Sequence, residues 1–279
     1  MLNLEPLEPG VMFWAGRDDL NVMRGLGVRC GQLGIGGDYI MNAESAADWT
    51  AALKSPAFSL VTLVAAYNGE DYADIPTVQR TVGFIPRATR EERVLRTIEL
   101  SDFAAALGVK SIACHIGFVP EDSGDADYIS VREEVRRICD HAATHGQTFA
   151  LETGQESAVS LLHFLKDVGR PNLGINFDPA NMILYGTGEP IAALELLRPH
   201  VLSVHAKDGL WPAPEIPGAL GTEVPLGQGA VGMPRFVETL RRTGFNGPLN
   251  VERETDNQVA RVADMGMGVS LLRSLAAAA

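Results

Sequence analysis

Four residues stand where chemistry could be done. Glu152 closes the apolar run 149–151, Asp178 closes 173–177, His205 closes 201–204 and Glu252 closes 249–251. Each run reads as a buried strand, so four successive strands end in a carboxylate or an imidazole. Taken singly, an acidic residue at a strand end is more often a helix cap or loop anchor than a ligand. Taken together, three carboxylates brought to one place repel, and each has a raised pKa unless a cation neutralises them. One divalent metal ion resolves that conflict. Three oxygen donors plus one imidazole suit Mn²⁺, Mg²⁺, Co²⁺ or Zn²⁺. The lack of a thiolate argues against a structural zinc site.

Such a cluster needs a scaffold in which successive strand ends meet. Strands are expected at 11–14, 29–33, 59–65, 111–115, 148–152, 173–178, 201–206 and 249–252. Amphipathic stretches lie between them, most clearly at 91–107 and 132–145. Eight strands alternating with helices imply a parallel sheet, and eight units close naturally into a single (β/α)8 barrel; a doubly wound open sheet is the alternative. Glycines at 25–27, 108, 146, 169 and 244 mark helix ends followed by strands. Two Gly- and Pro-rich stretches, 67–88 and 208–233, break the rhythm. On a barrel, long loops after the third and seventh strands lie over the C-terminal face, where active sites sit.

The bulk properties set limits. A barrel of this kind takes about 250 residues, so one domain over 1–279 is expected for this 279-residue chain. The net charge of −12 opposes a phosphate backbone, which proteins bind through Lys and Arg, so nucleic acid is not expected as a partner. No stretch approaches the roughly 20 apolar residues of a membrane span, and residues 1–10 lack the basic flank and apolar run of a signal peptide. The three cysteines, Cys30, Cys114 and Cys139, form no CxxC pair; their odd number and wide spacing suit a reducing cytoplasm. A homo-oligomer stays open.

The stretches Ala150-Leu-Glu-Thr-Gly-Gln-Glu156, Asn176-Phe-Asp-Pro-Ala-Asn181, Ser203-Val-His-Ala-Lys-Asp-Gly209, Pro225-Leu-Gly-Gln-Gly229 and Asn250-Val-Glu-Arg-Glu254 resemble the sugar phosphate isomerase/epimerase family. That family lies in the xylose-isomerase-like TIM barrel superfamily, with ketose 3-epimerases and inosose dehydratases. The resemblance runs from about residue 11 onward and is strongest after residue 149. It implies that Glu152, Asp178, His205 and Glu252 are metal ligands and that Glu152 and Glu252 also move protons. The chemistry fits those glutamates independently. A cation chelating a carbonyl and its neighbouring hydroxyl stabilises the enediolate formed when the α proton leaves. One carboxylate removes the proton and a second returns one on the opposite face. The substrate expected is a sugar or polyol.

Other residues are candidate substrate contacts. His115 ends the fourth strand and is either a contact or a satisfied structural histidine. Gln155 and Glu156 follow Glu152 and reach for sugar hydroxyls, unless Glu156 caps the next helix. Ketose 3-epimerases carry a substrate-binding histidine where this chain has Asn181, which points away from that particular activity. Lys207 follows His205 by two, on the same side of the strand, and holds a substrate oxygen or phosphate unless it pairs with Asp208 at the surface. Trp14 is either a wall for a sugar ring or core. Gly227-Gln-Gly-Ala-Val-Gly232 spells GxGxxG but follows a Pro-rich loop rather than a strand, so it is not read as a dinucleotide fingerprint. His141, His145, His163 and His200 fall on or beside predicted helices, away from the mouth. The leading reading is thus a metal-dependent sugar isomerase or epimerase. The alternative is a dehydratase or lyase that shares the proton abstraction and then expels a β oxygen. An endonuclease of the same superfamily is disfavoured by the charge, and a non-catalytic sugar-binding barrel by the paired carboxylates.

Overall fold

In the computed structural model, which describes residues 2–277, strand and helix alternate along the chain. Residues 1, 278 and 279 of the expected domain span lie outside the described residues. The strands in chain order are β1 (Pro9–Trp14), β2 (Cys30–Ile35), β3 (Ser59–Ala65), β4 (Ser111–Cys114), β5 (Thr148–Glu152), β6 (Leu173–Phe177) and β7 (Val201–Ala206). A hairpin follows, β8 (Asp208–Leu210) and β9 (Thr222–Val224), and then β10 (Leu249–Val251). Strands β1 to β7 and β10 are parallel neighbours in a closed barrel, because β1 pairs with both β2 and β10. The open doubly wound sheet is therefore set aside.

The outer layer comprises α1 (Leu20–Gly25), α2 (Ala43–Ala52), α3 (Ile75–Thr81), α4 (Arg90–Ala106), α5 (Ala126–Thr144), α6 (Ala158–Val168), α7 (Pro179–Tyr185), α8 (Pro190–Leu197), α9 (Met233–Arg242) and α10 (Gln258–Ala277). Local chemistry sets several of these boundaries. Ser157 caps α6 by accepting from the Ser160 amide, and Gly169 ends the same helix in the left-handed conformation that an L side chain resists. Helix α5 starts six residues before the expected stretch, where Asp125 accepts from the Asp127 amide. Helix α3 was not expected at all. Asp74 caps it and Pro76 occupies its first turn, so capping chemistry makes a short helix inside a loop-like composition.

Alternation along the strands divides the core in two. Phe149, Leu151, Ile175, Phe177 and Val204 point outward into the apolar layer beneath the helices. Facing inward are Met12, Val64, Ala113 and Ala150, with Trp14 packed on them. Opposite these lies a polar half built from Gln32, Asn176, Ser203, His205 and Asn250, all buried. Among the described residues no helix is long and apolar enough to cross a membrane.

Candidate metal centre and active-site cavity

The inward face of β5 reads Ala150, Glu152; that of β6 continues through Asn176 to Asp178; that of β7 runs Ser203, His205 and on to Lys207; that of β10 runs Asn250, Glu252 and on to Glu254. Period-two alternation in adjacent strands thus delivers one donor each to the same level. Ligand atoms of Glu152, Asp178, His205 and Glu252 all lie within 4.8 Å of one another, and all four residues are buried. Three of the expected strand boundaries fall one residue short. Strand β4 ends at Cys114, β6 at Phe177 and β10 at Val251, so His115, Asp178 and Glu252 sit just past their strands. Asp178 also caps α7, its Oδ1 accepting from the Ala180 and Asn181 amides at 2.8 and 3.0 Å.

His205 organises the cluster. Its Nδ1 lies 2.9 Å from Glu252 Oε2, 3.2 Å from Glu152 Oε1 and 3.7 Å from Asp178 Oδ2. Its Nε2 lies 2.6 Å from Gln32 Oε1, a carbonyl oxygen that can only accept, and 3.1 Å from Asn176 Nδ2; the shorter contact favours a proton on Nε2 directed at Gln32, with Nδ1 facing the carboxylates. Gln32 is held in turn by Asn176 Oδ1, which accepts from Gln32 Nε2 at 3.0 Å and from the Ser203 hydroxyl. Burial opposes a charged His205, but Glu252 and Glu152 outweigh it and raise its pKa well above the usual imidazole range. Burial likewise opposes the ionised glutamates. For Glu152 the charges of His115 and His205 win, and for Glu252 those of His205 and Lys207 win, the latter pKa falling to about 2. For Asp178 burial prevails and its pKa is raised, with Lys207 opposing.

The donor set fits a divalent cation. Asp178 Oδ2 and Glu252 Oε2 are buried without a well-formed hydrogen bond; His205 and Lys207 approach them at 2.9–3.8 Å, two cationic groups set against three carboxylates and the further acids Glu223 and Glu254. Three carboxylates around one imidazole nitrogen whose ring is oriented from behind provide a place for a further positive charge.

The cluster forms the floor of a cavity of about 460 Å³. Trp14, Met12, Val64 and Ala66 line one side; Leu184, Tyr185 and Leu220 line another. His115 lies 3.3 Å from Glu152 Oε1 and beside the Tyr72 ring. Burial opposes its charge, yet Glu152 raises its pKa to about 9. Asn181 donates to Glu152 Oε1 at 3.1 Å. Lys207 is no surface partner of Asp208. It is buried among Glu254, Glu252, Asp178 and Glu223, at 2.9, 3.3, 3.8 and 3.8 Å.

Gln155 and Glu156 are not brought to this cavity. The chain leaves β5 through Gly154 (φ +140°), pressed against Asn181, and neither side chain lines the cavity. Gln155 is buried outside the lining. Glu156 accepts from the Val119 amide at 3.0 Å and lines a separate cavity near α6, where burial raises its pKa to about 7.

Several contributors escaped sequence reasoning. Gln32 had a signal, a lone amide in a buried apolar strand. Glu254 had one too, lying two residues beyond Glu252. Glu223, Tyr72 and Leu220 arrive on the long loops and had none. Asp208 has a different task. Its carboxylate accepts from the amides of Gly209, Gly227, Gly229 and Val231 at 3.0–3.1 Å. The GxGxxG stretch therefore does form an anion nest, and the protein's own carboxylate fills it. A Cβ at Gly229 would come within 2.1 Å of Asp208 Oδ1.

The chain resembles known proteins along most of its length. The crystal structure of the xylose isomerase domain protein from Planctomyces limnophilus matches with TM-score 0.91 and 41% identity over 98% of both chains. The 3-keto-D-glucoside 4-epimerase YcjR from E. coli matches with TM-score 0.69 and 16% identity, over 96% of this chain and 99% of that one, which shows a shared fold. Structural neighbours also include a D-tagatose 3-epimerase-like protein and a probable 3-DHS dehydratase. The uncharacterized protein YihM of Escherichia coli (strain K12) is 31% identical over 132 residues, 46% of this chain but only 40% of that protein. Residues 22–275 match the family model described as xylose isomerase-like TIM barrel, and with the closed barrel and its strand-end cluster in view, the chain belongs to that family.

Proposed function

We propose that this chain is a divalent-metal-dependent sugar isomerase or epimerase that works by removing a proton α to a carbonyl. Glu152, Asp178, His205 and Glu252 would hold one divalent ion. The observation that carries this reading is the convergence of three buried carboxylates and one oriented imidazole on the floor of a half-apolar cavity. Bound there, the ion would neutralise the carboxylates and act as a Lewis acid toward substrate oxygens. Glu152 and Glu252 are the proton-transfer pair. Each is buried and both share His205, but each also touches a cation of its own, His115 for Glu152 and Lys207 for Glu252, so their surroundings differ. Asn181 steadies Glu152. Trp14 and its apolar neighbours exclude water and offer a flat face to a sugar ring. Lys207 and His115 are placed to meet substrate oxygens, although the four carboxylates that keep Lys207 charged also surround it with negative potential that opposes a phosphate.

A second reading, elimination by a dehydratase or lyase, draws on His115. An imidazole 3.3 Å from Glu152 gives a further proton donor, which a departing hydroxyl or glycosidic oxygen needs. Incubation of metal-loaded protein with keto sugars in D₂O separates the two. Deuterium gained at the α carbon without other mass change is the result for epimerisation; loss of water or aglycone is the result for elimination. Glu152→Gln and Glu252→Gln, with metal content measured on the same samples, should each lose at least about 100-fold in turnover. Normal turnover and exchange by metal-loaded Glu252→Gln would overturn the two-carboxylate mechanism.

A further inference from the structure

Outside the barrel mouth, one other group of potential metal-donor side chains converges among the described residues. His141 and His145 lie one turn apart near the end of α5, and the Nε2 atoms of both reach the same atom of α4, Asp102 Oδ1, at 2.7 and 2.8 Å. The two rings stand 5.4 Å apart at 72°. Donor atoms of the three residues all lie within 4.8 Å of one another. Histidines at i and i+4 share a helix face and form a recurrent bidentate chelate. The carboxylate comes from a different helix, already packed on the first. Beside the trio α4 is tied to the turn that follows α5 by the buried Ser101 hydroxyl donating to Gln147 Oε1 at 2.6 Å, with Gln147 Nε2 donating back to the Ser101 carbonyl.

We propose that Asp102, His141 and His145 form a second metal site, on the barrel's outer surface, for a borderline transition-metal ion such as Zn²⁺ or Ni²⁺. Two imidazoles and one carboxylate make an N₂O set, which suits Zn²⁺, Ni²⁺ and Cu²⁺ and holds Mg²⁺ poorly. The floor of the cavity, with three carboxylates and one imidazole, is richer in oxygen and accommodates Mg²⁺ as well. The side chains are 31%, 32% and 56% exposed for His141, His145 and Asp102, so an ion can enter from solvent and keep water in its remaining positions. The end of α5 contributes the negative pole of its dipole. Lys110, which donates to the His145 carbonyl at 2.9 Å, is the opposing charge. An ion held here would link α4 to α5 as an external clamp, without contact with the reacting centre.

The test uses the full chain saturated with Mg²⁺, so that the cavity cluster is occupied by a hard ion. Calorimetric titration with Zn²⁺ should then reveal a binding event that His141→Ala, His145→Ala and Asp102→Ala each weaken at least about tenfold. Glu252→Gln should leave that event in place. The untagged protein should be retained on immobilised Ni²⁺, and the His141→Ala/His145→Ala double variant should elute early, with circular dichroism checking its fold. Absence of a Zn²⁺ event beyond displacement of Mg²⁺, or an unchanged event and unchanged retention in the double variant, would overturn the proposal.

Discussion

Gln32 biases which nitrogen of His205 faces the carboxylates, although it would touch neither ion nor substrate. Its carbonyl oxygen favours a proton on Nε2 from the barrel interior. Replacing it with Leu removes that acceptor and leaves the imidazole free to change tautomer. Gln32→Leu should therefore lower divalent-ion affinity about 10–100-fold, as read by competition with a chelator, while the fold stays intact. Unchanged affinity would show that the carboxylates alone orient the ring. Glu156 offers a contrasting case. Its folded pKa is raised to about 7 by burial, above the ordinary value of 4.5. At pH below the ordinary value both states are protonated and nothing is lost. As pH rises through the folded value, the native state must bury a charge that the unfolded chain solvates freely, so stability falls. Glu156→Gln keeps the acceptor for the Val119 amide and removes that cost. It should raise the melting temperature by about 2–4 °C at pH 8, do nothing at pH 4, and leave turnover unchanged because the side chain lies outside the cavity. A drop in turnover with metal retained would return Glu156 to the site.

At the scale of elements, the loop between β7 and α9 is shaped by one carboxylate. Asp208 collects four backbone amides, three of them 19 to 23 residues further on. This loop carries Leu220 and Glu223 into the cavity wall, so its anchor also sets the wall. Asp208→Ala should cost at least about 2 kcal/mol in urea unfolding and raise KM more than it lowers kcat. An effect on kcat alone would mean the loop holds its shape without the anchor. Sequence reading reached the barrel and the four strand-end donors because closure forces neighbouring strand ends together, whatever the loops do. It reached Lys207 as a neighbour of His205 through simple alternation. It set Gln155 and Glu156 in the cavity wall because it carried the strand pattern past its end; β5 stops at Glu152, and Gly154 turns the chain before either residue is reached. Glu223 and Tyr72 were invisible because a loop's path is set by distant partners such as Asp208, not by local pattern. Helix α3 was hidden because its only strong signal, Asp74 with Pro76, lies within a composition that otherwise reads as turn.

Across the whole molecule, the buried glutamates gather at one end of a closed sheet. Glu152, Asp178 and Glu252 share one buried volume, relieved in part by His205 and Lys207. A cation that binds only the native arrangement adds stability by mass action, about 2.7 kcal/mol at a free concentration one hundred times its dissociation constant. Chelation should therefore abolish turnover and lower the melting temperature, and added Mn²⁺ or Mg²⁺ should restore both; full activity in protein shown by elemental analysis to be metal-free would refute metal dependence. The barrel also divides its labour along the chain. All four cluster residues come from β5 onward, whereas Met12, Trp14, Val64 and Ala66 come from the first three strands and their ends. The four donors are thus written wholly in the second half of the sequence, while the first half supplies one wall of the cavity and, through Gln32 and His115, two side chains that steady the donors. Libraries confined to the positions of that wall, Met12, Trp14, Val64 and Ala66, can retune which molecule is accepted while the donors and their supports are inherited whole.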